Sequence, residues 1–189
     1  YSYAIGAQDT TSLSQIFTAS LHIILLLVFL VLLIFETVGL WFVNTQLDIP
    51  SDRMLTTQWI YQFAILSIVF SFIQIPYTAA IFAHEDMSSF ALVSLAECIG
   101  RLLVAFLISY QGFSDGLVFY DAGLAIVAFL IYAAYAIIGR KQYEECHYCK
   151  ISDNRLYKEI LSFSGWTTYS ALSGISVTHG NTILLNIFF

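Results

Sequence analysis

Residues 23–35 read Ile-Ile-Leu-Leu-Leu-Val-Phe-Leu-Val-Leu-Leu-Ile-Phe, an unbroken run of apolar side chains. They form the middle of Leu21–Val43, an apolar stretch long enough to cross the ~30 Å hydrocarbon core of a bilayer as a helix. Further apolar stretches follow at Trp59–Ala83, Met87–Tyr110, Leu117–Ile138 and, less regularly, Ile160–Phe189. The sequence therefore predicts an all-α integral membrane protein, a polytopic helix bundle with about five transmembrane helices.

The composition of the whole chain agrees with this interpretation. Of its 189 residues, 59% are hydrophobic and only 11% are charged, and the mean hydropathy is +0.79. Soluble domains have a charged fraction of about 25%, and this chain folded in water would expose large apolar patches. Seven basic residues against thirteen acidic ones also argue against a nucleic-acid partner, which requires a basic surface.

The distribution of basic residues predicts the orientation of the spans. The one long polar loop, Gly139–Glu159, contains five of the seven Lys and Arg residues. Because cytoplasmic loops are enriched in Lys and Arg, we expect this loop, the turn His84–Asp86 and the N-terminal stretch to lie in the cytoplasm. The short connection Asn44–Gln58 then lies outside. We interpret His84–Asp86 as a plain polar turn and Glu36 as solvated at the outer interface.

Two opposite charges, Glu97 and Arg101, lie in the middle of the third predicted span. Their i, i+4 spacing places them on one helix face, with the acid in the favourable N-terminal position. A lone charge at mid-bilayer costs a few kcal/mol, so such residues face a partner, the bundle interior or a wet cavity. The pair therefore either lines a substrate cavity or serves only as an internal ion pair that lets the helix insert.

Three other residues are candidates for the substrate path. Pro76, inside the second span, predicts a kink that is either a hinge or a static bend. Gln74 beside it is a polar group that we expect to face inward. Asn181 lies in the last stretch, which is rich in Ser, Thr and Gly, and that composition fits either a tight helix interface or a discontinuous helix lining a substrate path.

No motif for catalysis or for a cofactor is found in the sequence. Cys146 and Cys149, with His147 between them, supply at most half of a zinc site. The hydrolase, metalloprotease, nucleotide-binding and dinucleotide-binding signatures do not occur. We therefore predict a protein that is not an enzyme, with no metal and no cofactor.

Several segments together resemble the bacterial polysaccharide flippases, the O-antigen and capsule type of the multidrug/oligosaccharidyl-lipid/polysaccharide exporter superfamily, which include lipopolysaccharide biosynthesis proteins. The segments are Tyr3–Asp9, Glu36–Phe42 with Leu47–Pro50, Ile75–Glu85, and Phe163–Trp166. They resemble, in order, the turn after the family's second helix, the end of its third helix with the next outer loop, the end of its fourth helix, and the start of its seventh.

The resemblance implies a full protein of twelve to fourteen helices in two bundles, of which this chain is a fragment. Residues 1–138 would belong to the N-terminal bundle, from the end of helix two to helix six. Residues 139–159 would form the cytoplasmic loop between bundles, and residues 160–189 would begin the C-terminal bundle with helix seven.

The same resemblance implies a function in the bacterial cytoplasmic (inner) membrane. Members of the family flip lipid-linked oligosaccharide, usually linked to undecaprenyl pyrophosphate, by alternating access of two bundles around a central cavity. The implied partners are this substrate and the membrane lipids, with H+ or Na+ as the coupling ion. Arg101, the one cation within the predicted spans, would meet the anionic pyrophosphate, and Glu97 would hold its position.

Two other functions remain open. A multidrug or toxin extrusion antiporter would share the fold. A membrane enzyme of glycan assembly, such as a polymerase or ligase, is more distant, because the predicted outer loops Asn44–Gln58 and Gln111–Gly116 are short and catalytic residues are usually carried on loops.

Overall fold

A computed structural model of the chain describes residues 10–45, 53–111 and 116–149, and in the C-terminal stretch residues 156–158, 160–167, 169–170 and 173. The chain divides into two compact units, Tyr1–Lys150 and Ile151–Phe189. In the second unit the described residues are helical. Most of the fifth predicted span, and the segment Tyr3–Asp9, lie outside the described residues.

The first unit is built from helices. Helix α1 (Thr10–Ile34) continues through a π-helical turn (Phe35–Gly39) into α2 (Leu40–Thr45), and α3 (Met54–Ile73) is followed by α4 (Ile75–Ala83). Helices α5 (Met87–Gln111) and α6 (Gly116–Gln142) come next, and a 3₁₀ turn (Glu144–Cys146) follows them.

Four stretches of the described chain are long and apolar enough to cross a membrane: Leu13–Thr45, Met54–Ala83, Met87–Ile108 and Gly116–Gln142. They correspond to the first four predicted spans and confirm the prediction of an all-α polytopic membrane protein. The 33 residues of the first stretch extend for about 50 Å at about 1.5 Å per residue. That length exceeds the hydrocarbon core, so the ends of this helix reach the polar layers.

The ends of two helices differ from the predicted ones. The first helix begins at Thr10 rather than near Leu21, because the polar residues before Leu21 are compatible with a helix outside the hydrocarbon. The fourth span continues to Gln142, so that Arg140 and Lys141 lie in the last turn of α6 instead of in the loop. Positive charges at this position interact favourably with the negative end of the helix dipole.

Helix α6 is the centre of the packing. It packs along α3 on one side and along α5 on the other. Toward α3 the contact is aromatic: the ring of Phe70 lies 5.2 Å from that of Phe129 and 6.1 Å from that of Tyr132. Toward α5 the contact uses glycine, since Gly123 of α6 faces Val104. Small residues let membrane helices approach closely.

The main buried cluster lies at one end of the first unit, where α1, α4, α5, α6 and the 3₁₀ turn meet. We call this the basic end, because Arg140 and Lys141 close α6 there. Its buried members are Phe17, Tyr77, Ala80, Ile81, Val93, Ile131, Tyr135, Ala136 and Cys146. Elsewhere many large apolar side chains are exposed on the helices, among them Leu26, Phe29, Leu102, Phe106 and Leu130. Such surfaces suit lipid or further protein rather than water.

The packing of α5 on α6 makes a testable prediction. A Cβ atom at Gly123 would lie 2.6 Å from Val104 Cγ1, and overpacking of this kind costs about 1–3 kcal/mol. We expect Gly123→Ala to lower the thermal unfolding midpoint of the detergent-solubilised protein by several degrees. Gly165→Ala is the matched control, because a Cβ there meets no atom within 4 Å. Equal midpoints for the two variants would contradict the close contact.

Candidate functional site

The pair Glu97–Arg101 lies near the middle of its span. Arg101 is fourteen residues past the start of α5 at Met87 and ten before its end at Gln111. At about 1.5 Å per residue these separations correspond to about 21 Å and 15 Å. Arg101 Nη2 donates a hydrogen bond of 2.5 Å to Glu97 Oε1, so the predicted i, i+4 pair is formed.

The pair is on the outer face of the first unit. The side chain of Arg101 is 59% exposed and that of Glu97 is 30% exposed. Gly100, between them, faces α6 and would place a Cβ atom 3.3 Å from Val127. Glu97 is three residues before Gly100 and so borders this packed face, whereas Arg101 lies farther from it and is more exposed. Within the described part of the chain the pair makes no hydrogen bond or ion pair with any other residue. The guanidinium of Arg101 is thus more than half exposed, and Glu97 is its one partner among the described residues.

The second predicted element, Gln74 with Pro76, interrupts a helix. Gln74 separates α3 from α4, and Pro76 is buried in the first turn of α4. The Gln74 carbonyl accepts hydrogen bonds from the backbone N–H groups of Tyr77 (3.1 Å) and Thr78 (3.0 Å). The Gln74 carbonyl at the break thus has hydrogen-bond partners, as buried backbone inside a membrane requires. The helix is interrupted at Gln74, next to the proline at which the kink was predicted. That this interruption acts as a hinge stays a prediction.

The predicted site residues are not all brought together. Helix α6 packs between α3 and α5, so it separates the break at Gln74 from the pair on α5. Asn181 lies outside the described residues. Of the four residues predicted to line a substrate cavity, the described structure brings only Glu97 and Arg101 together.

A cluster at the basic end was not predicted, because the sequence suggested only a plain polar turn at His84–Asp86. We call it the clasp; it consists of His84, Asp86, Tyr143 and Glu145. The His84 Nε2 and Glu145 Oε1 atoms form an ion pair when the imidazole is protonated, and the Glu145 side chain is only 6% exposed. Tyr143 stacks on the His84 ring, with centroids 4.3 Å apart, and its hydroxyl donates to Asp86 Oδ2 at 3.2 Å.

The backbone of the turn supports the clasp. Glu85 has a positive φ of 56°, a left-handed conformation that is uncommon for a residue other than glycine. It reverses the chain between α4 and α5 within three residues. Asp86 then caps α5, since its Oδ1 accepts a hydrogen bond of 3.1 Å from the backbone N–H of Ser89.

Two pKa values in the clasp follow from these contacts. Hydrogen bonds from the Ser89 side chain and backbone hold the pKa of Asp86 below its usual value. Because the folded-state pKa is lowered, this cap stabilises the fold above the ordinary pKa and is lost as pH falls through the lowered one. Burial, followed by the charge of Asp86, raises the pKa of Tyr143 to about 12, so this phenol remains a donor at neutral pH.

The Cys146–Cys149 motif serves packing in this structure. Cys146 is buried, and burial together with the Glu145 carboxylate raises the pKa of its thiol to about 12, against the opposing effect of Arg140. A protonated thiol is a poor metal ligand and a poor nucleophile. The backbone N–H of Cys149 donates to Thr18 Oγ1 at 3.1 Å and ties the segment to α1. Nowhere in the described ranges do three potential metal-ligating side chains come together.

Comparisons of the chain with protein-family models, with curated proteins and with solved structures find no match.

Proposed function

We propose that the chain belongs to a transporter that flips lipid-linked oligosaccharide across the bacterial cytoplasmic membrane for surface polysaccharide synthesis. The observation that supports the proposal is the Glu97–Arg101 pair, which lies near the middle of an apolar helix and is partly exposed in the described structure. A guanidinium and a carboxylate in that position require a wet or protein-lined environment rather than lipid tails.

The chemistry of the pair suits an anionic headgroup. A guanidinium has five N–H donors in a planar fork, and the described structure uses donors of one nitrogen, Nη2, toward Glu97. The remaining donors of Arg101 are free to bind phosphate oxygens, and Glu97 fixes the orientation of the fork. A pyrophosphate-linked substrate supplies such oxygens, while its glycan needs a polar cavity to cross the hydrocarbon.

The mechanism we propose is alternating access. The described spans would form part of one bundle, which moves against a second bundle around a cavity that Arg101 lines. The break at Gln74 and Pro76 would allow the two parts of that span to move relative to each other. An H+ or Na+ gradient would drive the cycle, and the basic end would face the cytoplasm, as the positive-inside rule indicates.

Deletion of the encoding gene tests this function in the cell. We expect lipid-linked oligosaccharide to accumulate on the inner leaflet and surface polysaccharide to fall, and a plasmid copy of the gene to restore both. Unchanged levels, in a strain without a second exporter, would overturn the glycan assignment. A simultaneous rise in drug susceptibility would then identify the multidrug antiporter instead.

A further inference from the structure

A groove lies at the end of the first unit opposite the basic end, and the function proposed above assigns no role to it. It lies between α2 and the first turns of α3 and has a volume of about 530 Å³. Its lining residues are Leu40, Asn44, Leu55, Gln58, Trp59 and Gln62. The volume falls within the range of about 300–1,000 Å³ that is typical of small-molecule sites.

Amide groups with spare hydrogen-bonding capacity line this groove. Gln58 Nε2 donates to Asn44 Oδ1 at 3.2 Å, and Gln62 Nε2 donates to Glu36 Oε2 at 3.3 Å. These bonds link α2 and the π turn to α3. Among the described residues, the Asn44 N–H₂ and the two glutamine carbonyl oxygens make no other hydrogen bond. Each amide therefore presents an unused donor or acceptor.

An aromatic surface lies beside the amides. The Trp59 side chain is 54% exposed, and its ring stacks on that of Phe63 with centroids 6.0 Å apart. This contact on the same helix holds the indole in place. Leu40 and Leu55 extend the apolar wall. The indole and the three amides of the groove therefore form a wall that is both apolar and hydrogen-bonding.

The π turn directly precedes Leu40, the first residue of α2 that lines the groove. Tyr61 Oη donates a hydrogen bond of 2.7 Å to the Phe35 carbonyl, which the wider π-helical turn exposes. Glycine at position 39 permits this contact, because the Cβ atom of any other residue would overlap the hydroxyl oxygen of Tyr61. Single π turns inside helices occur frequently at functional sites. This one sets the direction in which Leu40 and Asn44 enter the groove.

The charged residues in and beside the groove indicate which class of ligand it can bind. None of the lining residues is Lys or Arg, and Glu36 stands next to Gln62, so an anionic group such as phosphate is disfavoured. A pyranose ring has an apolar C–H face that packs on an indole, and hydroxyls that both donate and accept. We infer that this groove binds a neutral sugar unit. The inference rests on the proposed function, and it makes the groove a glycan subsite at the outer end, distinct from the headgroup site at Arg101.

Saturation-transfer NMR on the full-length protein in nanodiscs tests the inference. The probes are methyl α-glucoside, methyl α-mannoside and methyl N-acetyl-β-glucosaminide at millimolar concentration. We expect saturation transfer to the ring protons of at least one probe. The double variant Gln58→Leu/Gln62→Leu should weaken its binding about tenfold, since each lost hydrogen bond removes a fraction of the affinity. Gln142→Leu, an exposed amide at the basic end, is the matched control.

A second variant keeps the test informative if the double glutamine variant does not fold. Trp59→Leu leaves the amides in place and removes the indole, and it should also abolish the transfer. Saturation transfer to none of the probes, or saturation transfer that survives in both variants, would overturn the inference that the groove binds a sugar. The gene deletion separates the two proposals: accumulation of the lipid-linked intermediate without sugar binding refutes the groove alone. Sugar binding with normal intermediate levels refutes the flippase alone.

Discussion

Arg101→Ala is expected to reduce surface polysaccharide by about ten- to a hundredfold, because a hydrogen bond to a charged group contributes about 1.5–3 kcal/mol. The variant removes the one Lys or Arg near the middle of a described span, and the Arg101 side chain is more than half exposed. Arg101→Lys should retain partial export, since an ammonium keeps the charge but loses the planar fork. Quantification of surface polysaccharide in a complemented deletion strain provides the measurement.

Controls distinguish a role in transport from a role in insertion. Arg53→Ala removes a cation at the start of α3, outside the span, and should leave export unchanged. The double variant Glu97→Gln/Arg101→Gln removes both charges, so it inserts without an unpaired ion; it should reach normal membrane abundance and still fail to export. Normal export by both Arg101→Ala and Arg101→Lys would show that the pair serves only helix insertion.

His84→Ala is expected to produce the largest loss of stability. The substitution leaves the buried Glu145 carboxylate without its partner, and breaking a buried pair in this way costs about 3–5 kcal/mol. We expect about the lower end of this range, because His84 is partly exposed and water can reach it. The thermal unfolding midpoint of the purified protein in detergent is the measurement, and the midpoint should fall further than that of Gly123→Ala.

A double-mutant cycle assigns this effect to the clasp. Glu145→Gln added to His84→Ala should recover much of the lost stability, because a neutral amide is cheaper to bury than an unpaired carboxylate. Glu144→Gln is the matched control; Glu144 is adjacent and exposed, so its change should have little effect. Additive losses for His84→Ala and Glu145→Gln would contradict the direct contact between them.

Local features of this fold were predictable from the sequence. Apolar runs such as 23–35 identified the spans, because a membrane helix satisfies its own backbone and needs only length and hydrophobicity. The Glu97–Arg101 contact followed from i, i+4 spacing within one helix. The break before Pro76 followed from the chemistry of proline.

Contacts between distant residues were not predictable in the same way. His84 and Glu145 are separated by 61 residues, and Glu36 and Gln62 by 26. Nothing in a single sequence specifies which polar groups at the end of a bundle meet. The sequence also placed Gln74 and Arg101 in one candidate cavity, whereas α6 packs between the helices that carry them. Which face of a span is covered depends on its neighbours, and hydropathy alone does not report that.

Translocation in reconstituted vesicles tests the central claim most directly. The purified full-length protein and a fluorescent undecaprenyl-pyrophosphate oligosaccharide are placed in proteoliposomes, and a membrane-impermeant quencher reports the leaflet of each glycan. We expect wild-type protein to move the glycan between leaflets faster than it moves in protein-free vesicles, and Arg101→Ala to remove most of this rate. A wild-type rate equal to that of protein-free vesicles, under an imposed H+ or Na+ gradient, would contradict it.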